Sequence, residues 1–323
     1  MLFGAAAPAL TLDFTALRDS DSISQELRLQ SSGDGDFNWL VGVFYNEVEE
    51  DLGSIAPLFG IENFSDRSAE TYSAFFDGSY QFSEKWELGA GIRDDDVEAE
   101  GSAYPELSPE SWDELQPQVT LRYFINDDLS TYFRAAKGFR PGGVNGADAN
   151  IPIFEEETLW SYEIGLKGEI MDGRGTIALT AFYVDDWDPQ YIVLIPDLTG
   201  IEYETFQVGE ARSQGAELEL NVAANDWLSL SLSGAYTDTE QLDTDTADAA
   251  GSAPDIVEEG DPLPFAPEWN LIFGATADSD FSLLPGWSFT ASANVAVTGP
   301  THYSLNLYDT GEDFTQDTYT LLN

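Results

Sequence analysis

The residues best suited to chemistry in this 323-residue chain are its acids. Asp and Glu number 60, against 12 Lys and Arg, one His and no Cys, for a net charge of −48. Without cysteine there is no disulfide, thiol nucleophile or thiolate metal ligand. The single histidine, His302, falls short of a two-His metal motif, and no Gly-x-Ser-x-Gly elbow or phosphate-cradling glycine loop is present. Carboxylate pairs are too frequent to single out, so no enzyme activity and no cofactor are expected. Such a charge also excludes nucleic acid as a partner, because phosphates need a basic face.

Two stretches concentrate the acids. Residues 238–261 carry Asp238, Glu240, Asp243, Asp245, Asp248, Asp255, Glu258, Glu259 and Asp261, and residues 94–114 carry Asp94, Asp95, Asp96, Glu98, Glu100, Glu106, Glu110, Asp113 and Glu114. Clustered carboxylates suit a hard cation such as calcium. Asp243-Thr244-Asp245, however, lacks the Gly at position six and the Glu at position twelve of an EF-hand loop. A solvated acidic surface suited to salty water is the preferred reading, and no metal site is assigned. Arg140, just before Pro141-Gly142-Gly143, could grip an anionic ligand bidentately or pair with a nearby carboxylate. Arg140, Asn145, Trp187, Tyr191 and His302 are the candidate contacts for a small-molecule ligand; for His302 plain solvation is the alternative.

The elements that must carry these residues repeat with period two. Trp86, Leu88, Ala90 and Ile92 alternate with Glu87, Gly89, Gly91 and Arg93, and the windows 115–123, 160–167, 216–222, 228–236 and 287–295 do the same. About thirteen strands are predicted, roughly 9–15, 22–31, 37–47, 70–82, 86–97, 114–125, 129–140, 158–170, 175–187, 212–223, 227–238, 267–277 and 287–298, with a fourteenth starting near Tyr319. Short turns such as Met171-Asp172-Gly173-Arg174-Gly175 alternate with long connections near 47–69, 94–113, 141–157, 188–211 and 238–266. Antiparallel strands then put tight turns at one end and large loops at the other. A soluble sandwich has no reason for that asymmetry.

Strands of about ten residues span a bilayer at a tilt. Trp39, Tyr45, Tyr72, Trp86, Trp160, Trp187, Trp227, Tyr236, Trp269 and Trp287 stand at strand ends, where rings with an apolar body and a polar tip collect at membrane interfaces. No apolar run of about 18 residues exists for a membrane helix. The expected fold is therefore all-β, an antiparallel transmembrane β-barrel in the lipid bilayer of an outer membrane. On its wet lumen face should stand Glu87, Gln118, Arg122, Arg134, Glu163, Lys167, Glu217 and Glu219. Asn63-Phe64-Ser65 matches a glycosylation sequon but carries little meaning in a bacterial outer membrane.

Several pieces in order resemble a known family: Ser24-Gln25-Glu26-Leu27-Arg28, Lys137-Gly138-Phe139-Arg140-Pro141-Gly142-Gly143 followed by Val144-Asn145, Glu157-Thr158 through Tyr162-Glu163-Ile164-Gly165-Leu166-Lys167, Ala181-Phe182-Tyr183-Val184-Asp185-Asp186-Trp187, Gly215-Ala216-Glu217-Leu218-Glu219 and Leu263-Pro264-Phe265-Ala266-Pro267. Together they resemble the C-terminal barrel of TonB-dependent outer-membrane receptors of Gram-negative bacteria. The resemblance implies a barrel of about 22 strands around a plug, and import of a scarce ligand, most often an iron chelate such as a ferric siderophore, driven through the plug by the TonB complex. The chain reads as one partial barrel over residues 1–323, with no plug domain and neither barrel end. A complete small barrel of fourteen strands, a passive porin-type channel and a membrane-embedded enzyme are the rival readings.

Overall fold

The computed structural model describes residues 15–33, 35–56, 61–102, 109–145, 151–197, 200–207, 209–243, 259–280, 287–303 and 315–323. Every regular element among them is a strand. In chain order these are β1 (Thr15–Gln30), β2 (Phe37–Ala56), β3 (Ile61–Ser83), β4 (Trp86–Gly101), β5 (Glu110–Phe124), β6 (Leu129–Arg140), β7 (Gly143–Val144), β8 (Ile153–Phe154), β9 (Glu157–Ile170) and β10 (Gly175–Trp187). There follow β11 (Gln190–Asp197), β12 (Gly200–Gln207), β13 (Ala211–Asn225), β14 (Leu228–Gln241), β15 (Trp269–Asp280), β16 (Ser288–Thr298), β17 (Thr301–His302), β18 (Thr315–Gln316) and β19 (Tyr319–Leu322). Thirteen of them form one meandering sheet, β1-β2-β3-β4-β5-β6-β9-β10-β13-β14-β15-β16-β19, and every adjacent pair is antiparallel. Three small hairpins, β7–β8, β11–β12 and β17–β18, stand in the long connections. Among the described residues β1 and β19 pair on one side only.

Register carries the two faces unbroken around the sheet. Tyr80, Leu88, Leu121, Phe133, Ile164, Ala181, Ala216, Tyr236 and Trp269 lie directly opposite one another across nine successive strands. One residue along, Gln81, Glu87, Arg122, Tyr132, Gly165, Thr180, Glu217, Ala235, Asn270, Thr298 and Tyr319 form the opposite face. The apolar face is open: Leu27 is 72% exposed and Ile164 59%. A contiguous apolar band of that kind needs a cover, and lipid supplies it. At its borders, rings pair across strands, Trp86 with Tyr123 at 4.7 Å and Tyr45 with Tyr72 at 5.0 Å. Exposure does not follow polarity everywhere. Leu166, Leu218, Leu220, Leu230 and Leu232 are half-buried while Lys167, Glu217 and Glu219 are exposed. The branched chains face one another, Leu218 against Leu179 and Leu220 against Ile177 and Leu232, and shade each other. The acids stand opposite Ala and Ser, which cover little.

The tight turns are closed by side chains. Asn126 Oδ1 accepts from the amides of Asp128 and Leu129, Ser83 Oγ from those of Lys85 and Trp86, and Asn225 Oδ1 from that of Trp227. Met171 and Asp172 adopt left-handed φ values of 57° and 56°, followed by Gly173 at 80°, in the turn joining β9 to β10.

Three expectations change at the loop end. Segments 9–15 and 22–31, expected as two strands, become one strand β1 over its described part; residues 9–14 lie outside the described residues. Connection 47–69 is largely strand, since β2 continues to Ala56 and β3 begins at Ile61; likewise β4 runs to Gly101 and β5 starts at Glu110. Connection 188–211 contains the β11–β12 hairpin. In the strand continuations acids take the outer face that apolar residues hold lower down, while the inner face is buried, as at Asp95, Val97 and Ala99 of β4, and backbone pairing persists. Asp19, Asp51 and Asp66 are opposite one another there, as are Glu47, Glu70 and Glu98.

These faces predict unequal costs for one and the same substitution. In the complete protein in lipid vesicles, Leu220→Arg should lower folding stability by roughly 2–4 kcal/mol, the cost of a cation at the bilayer midplane. Ser233→Arg, opposite Glu219 on the other face, should cost far less. Urea titration followed by tryptophan fluorescence compares them, and a Ser233 variant at least as damaging as the Leu220 variant contradicts the assignment of faces.

Candidate functional site

The polar face is tied together by the scarce cations. Arg122 donates to Glu87 at 3.0 Å and Arg134 to Glu163 at 3.1 Å and Gln118 at 3.2 Å. Gln118 in turn donates to Asp77 at 2.9 Å, reaching from β5 to β3 over β4. Gly91 lies beneath that bridge, and a Cβ there would stand 2.6 Å from Gln118 Nε2 and 2.7 Å from Asp77 Oδ2. Arg93 is held by Asp95 at 2.8 Å and lies over the rings of Phe44 and Phe75. Nearer the loop end Glu50 joins Arg18 and Arg67. Lys167, Glu217 and Glu219 share this face by register.

β5 and β6 part company near the mouth. Their ladder stops at Gln118–Ala136, because the next residue of β5 is Pro117, which has no N–H to donate. Lys137 crosses the gap to Glu114 at 2.8 Å. Into this region folds the connection after β6. Trp112, 7% exposed, lies against Gly142, and Val144, 5% exposed, against Gly101. Pro141-Gly142-Gly143 thus does more than turn the chain. A Cβ on Gly142 would collide with the Trp112 ring and the Phe154 carbonyl, so glycine lets the backbone lie flat on the indole.

The same connection is locked to the next one by buried polar side chains. Glu157, at the start of β9, accepts from the indole N–H of Trp187 and, at 2.9 Å, from the amide of Gln190, with Arg140 Nη1 at 3.6 Å. Gln190 donates to the carbonyls of Pro141 at 3.0 Å and Glu155 at 2.9 Å, and Gln207 also donates to Glu155. Asn145 donates to the carbonyls of Ile151 and Thr205, both at 2.7 Å, and accepts from the Thr205 amide at 2.9 Å. Phe206, between Thr205 and Gln207 on β12, is 1% exposed. Burial, with Glu157 and Asp188 nearby, pushes the Tyr191 hydroxyl well above its usual range, so it stays protonated.

Four of the five candidate contacts therefore meet in one place. Arg140, Asn145, Trp187 and Tyr191 all belong to this node or border it, and only Arg140 keeps a largely free side chain, 54% exposed. His302 stands elsewhere, paired with Thr315 between β17 and β18, and its carbonyl accepts from the Phe265 amide at 2.7 Å. Phe265 has a left-handed φ of 64° and packs edge-on against Tyr303 at 5.8 Å. The organising residues Glu157, Gln190 and Gln207 were not singled out from sequence. Glu157 and Gln190 do flank aromatic strand ends, but nothing local to them says that they are buried. Of the acid-rich stretches, Asp238 accepts from Gln214 at 2.8 Å and Glu240 pairs with Arg212. Glu106, Asp245, Asp248, Asp255 and Glu258 lie outside the described residues, as does the side chain of Asn63. Among the described residues no cluster of acids is arranged to hold a metal ion.

Comparison with known proteins bears on this architecture. Residues 4–323 match the family model described as TonB dependent receptor-like, beta-barrel. The chain is 28% identical over 196 residues to the metal-pseudopaline receptor CntO of Pseudomonas aeruginosa, covering 58% of this chain and 27% of that protein. It is 26% identical over 212 residues to the pesticin receptor of Yersinia enterocolitica, covering 60% and 30%. Its fold superposes on the ferric yersiniabactin uptake receptor FyuA from Yersinia pestis with a TM-score of 0.74 at 20% identity, over 98% of this chain and 47% of that one. BauA, the ferric preacinetobactin receptor from Acinetobacter baumannii, gives 0.73 at 20% identity, over 96% and 47%. The chain thus spans roughly 30% of the length of these curated relatives and about half of the solved barrels.

Removing the buried acceptor should free the loops selectively. Glu157→Ala leaves the Gln190 amide and the Trp187 indole without a charged partner, at about 1.5–3 kcal/mol for such a bond. Amide hydrogen exchange at Gln190 should accelerate by about ten- to a hundredfold, with β13–β14 amides unchanged. Glu157→Gln, which keeps an acceptor oxygen, should lose less. Equal exchange in both variants and wild type contradicts the assignment.

Proposed function

Because the chain belongs to the TonB-dependent receptor-like β-barrel family, and so to the outer membrane of a Gram-negative bacterium, we propose that it is part of the wall of a receptor that imports an iron chelate, most simply a ferric siderophore, with energy delivered by TonB. The observation that carries this is the mouth. Two long connections are fixed to each other by buried side chains around Glu157, and the first packs on Trp112 and Gly101 of the wall. That arrangement suits a rigid ligand-binding vestibule on a barrel wall. Three of the four similar proteins carry names with a metal or ferric ligand, metal-pseudopaline, ferric yersiniabactin and ferric preacinetobactin, and support the same class; the fourth is named for pesticin. In this reading the polar face, with Glu87, Gln118, Arg122, Arg134, Glu163, Lys167, Glu217 and Glu219, lines the lumen against a plug. The other barrel strands and that plug, through which TonB pulls, belong to the rest of the receptor. Arg140, ion-paired on one side and open on the other, is the ligand-facing cation; a bidentate guanidinium suits carboxylate or phenolate oxygens of a chelate. Asn145, Trp187 and Tyr191 shape the wall behind it.

Radio-iron uptake tests the reading. In a strain without its own receptors, the complete reading frame should give saturable uptake of at least one of a panel of ferric siderophores, abolished by a protonophore. The 323-residue chain alone should give none. Arg140→Ala should raise the half-saturating chelate concentration about tenfold, the range for losing one charge-assisted contact, and leave the maximal rate nearly unchanged. Uptake indifferent to the protonophore would instead favour a passive pore.

A further inference from the structure

The β11–β12 hairpin is joined to the wall by a break in the ladder. β10 and β13 last pair at Trp187–Ala211, and the hairpin ladder begins at Gln190–Gln207. Between them lies Pro189, which cannot donate a backbone bond. A side chain replaces the missing rung: the Gly209 amide donates to Asp188 Oδ1 at 3.0 Å, strapping the two legs together. The strap is a carboxylate in poor company. The Glu157 carboxylate of β9 bonds the Trp187 indole and the Gln190 amide on either side of it, Glu210 adjoins Gly209, and the Asp243 amide bonds the Glu210 carbonyl at 3.2 Å; all three acids disfavour its charge, and it in turn disfavours ionisation of Tyr191 on β11. Arg140, at the end of β6, pairs with Glu157 and with no other acid among the described residues.

We propose that Asp188 is a proton-operated latch: acidification of the external medium seats the β11–β12 hairpin more firmly on the receptor mouth, and neutral or alkaline medium loosens it. A protonated Asp188 still offers an oxygen to the Gly209 amide and no longer repels Glu157, Glu210 and Asp243. Burial, the largest influence, and these three neighbours hold its carboxyl above the ordinary value of 3.8, while the Gly209 bond opposes them. The sign follows. A carboxyl raised in the seated state weakens that state at pH above its seated value. The loss is recovered as pH falls toward 3.8. The latch depends on hinge geometry and not on which chelate the receptor carries.

Hydrogen exchange of the β11–β12 amides tests it, in the complete receptor in lipid nanodiscs, with rates corrected for intrinsic pH dependence. Protection should rise as pH falls from 7.5 to 4, with β13–β14 as an unchanging internal reference. Asp188→Asn should give high protection at both pH values. Glu210→Gln, an exposed position whose side chain the seat does not use, should move the transition to lower pH. A wild-type hairpin with unchanged or falling protection overturns the proposal. So does an Asp188→Asn hairpin that keeps the wild-type pH dependence or is unprotected throughout. Should that variant fail to assemble, a Glu210→Gln transition that stays in place overturns it equally.

Discussion

A backbone amide in hydrocarbon has no water to turn to, and each unpaired one costs several kcal/mol. That constraint shapes the whole wall. It demands a sheet in which every strand pairs with its neighbour, and the thirteen-strand meander with uniformly antiparallel ladders answers it. Once backbone pairing is fixed, the pleat decides the rest, because successive side chains must point to opposite faces of the sheet. The row from Tyr80 to Trp269 and the row from Gln81 to Tyr319 are the two outcomes of that geometry. The tight-turn end shows only single-residue register shifts, at Gln81–Ser83 and Ala223–Asn225, and two ladders break at the mouth. Pro117 ends the β5–β6 ladder and Pro189 the ladder below β11, and in each case a charged side chain, Lys137 or Asp188, spans the break.

Charge is the second organising quantity. Nine of the 12 cations, namely Arg18, Arg28, Arg67, Arg93, Arg122, Arg134, Lys137, Arg140 and Arg212, are spent on acids. Most of these pairs are partly exposed and individually weak. Their value lies in linkage: Asp77, Gln118, Arg134 and Glu163 form one line from β3 to β9 along the polar face. Acids such as Asp94, Asp96 and Glu98 are exposed above the apolar band, where screening makes their mutual repulsion cheap. Glu157 differs. It is buried among loop donors and takes up the polar ends of a proposed vestibule that would otherwise need solvent.

The division between what the sequence by itself determined and what only the tertiary structure decided follows from range. Alternation is local, so strands such as β4, β9 and β13, their antiparallel order, the two faces and the one-sided distribution of loops were legible from residues a few positions apart. So was the family, because its motifs are runs of adjacent residues. Strand continuations above the band were not legible, because acids such as Asp19, Glu47 and Asp66 stand where apolar residues would mark a strand, and so look like loop. Nor was the node at the mouth. Glu157, Gln190 and Asn145 act on partners 33, 35 and 60 positions away, and a polar residue's burial is set by what the fold brings over it, not by its neighbours in the chain. Arg140 and Trp187 drew notice for their chemical type; that both would close on one carboxylate was decided by the register of β6, β9 and β10.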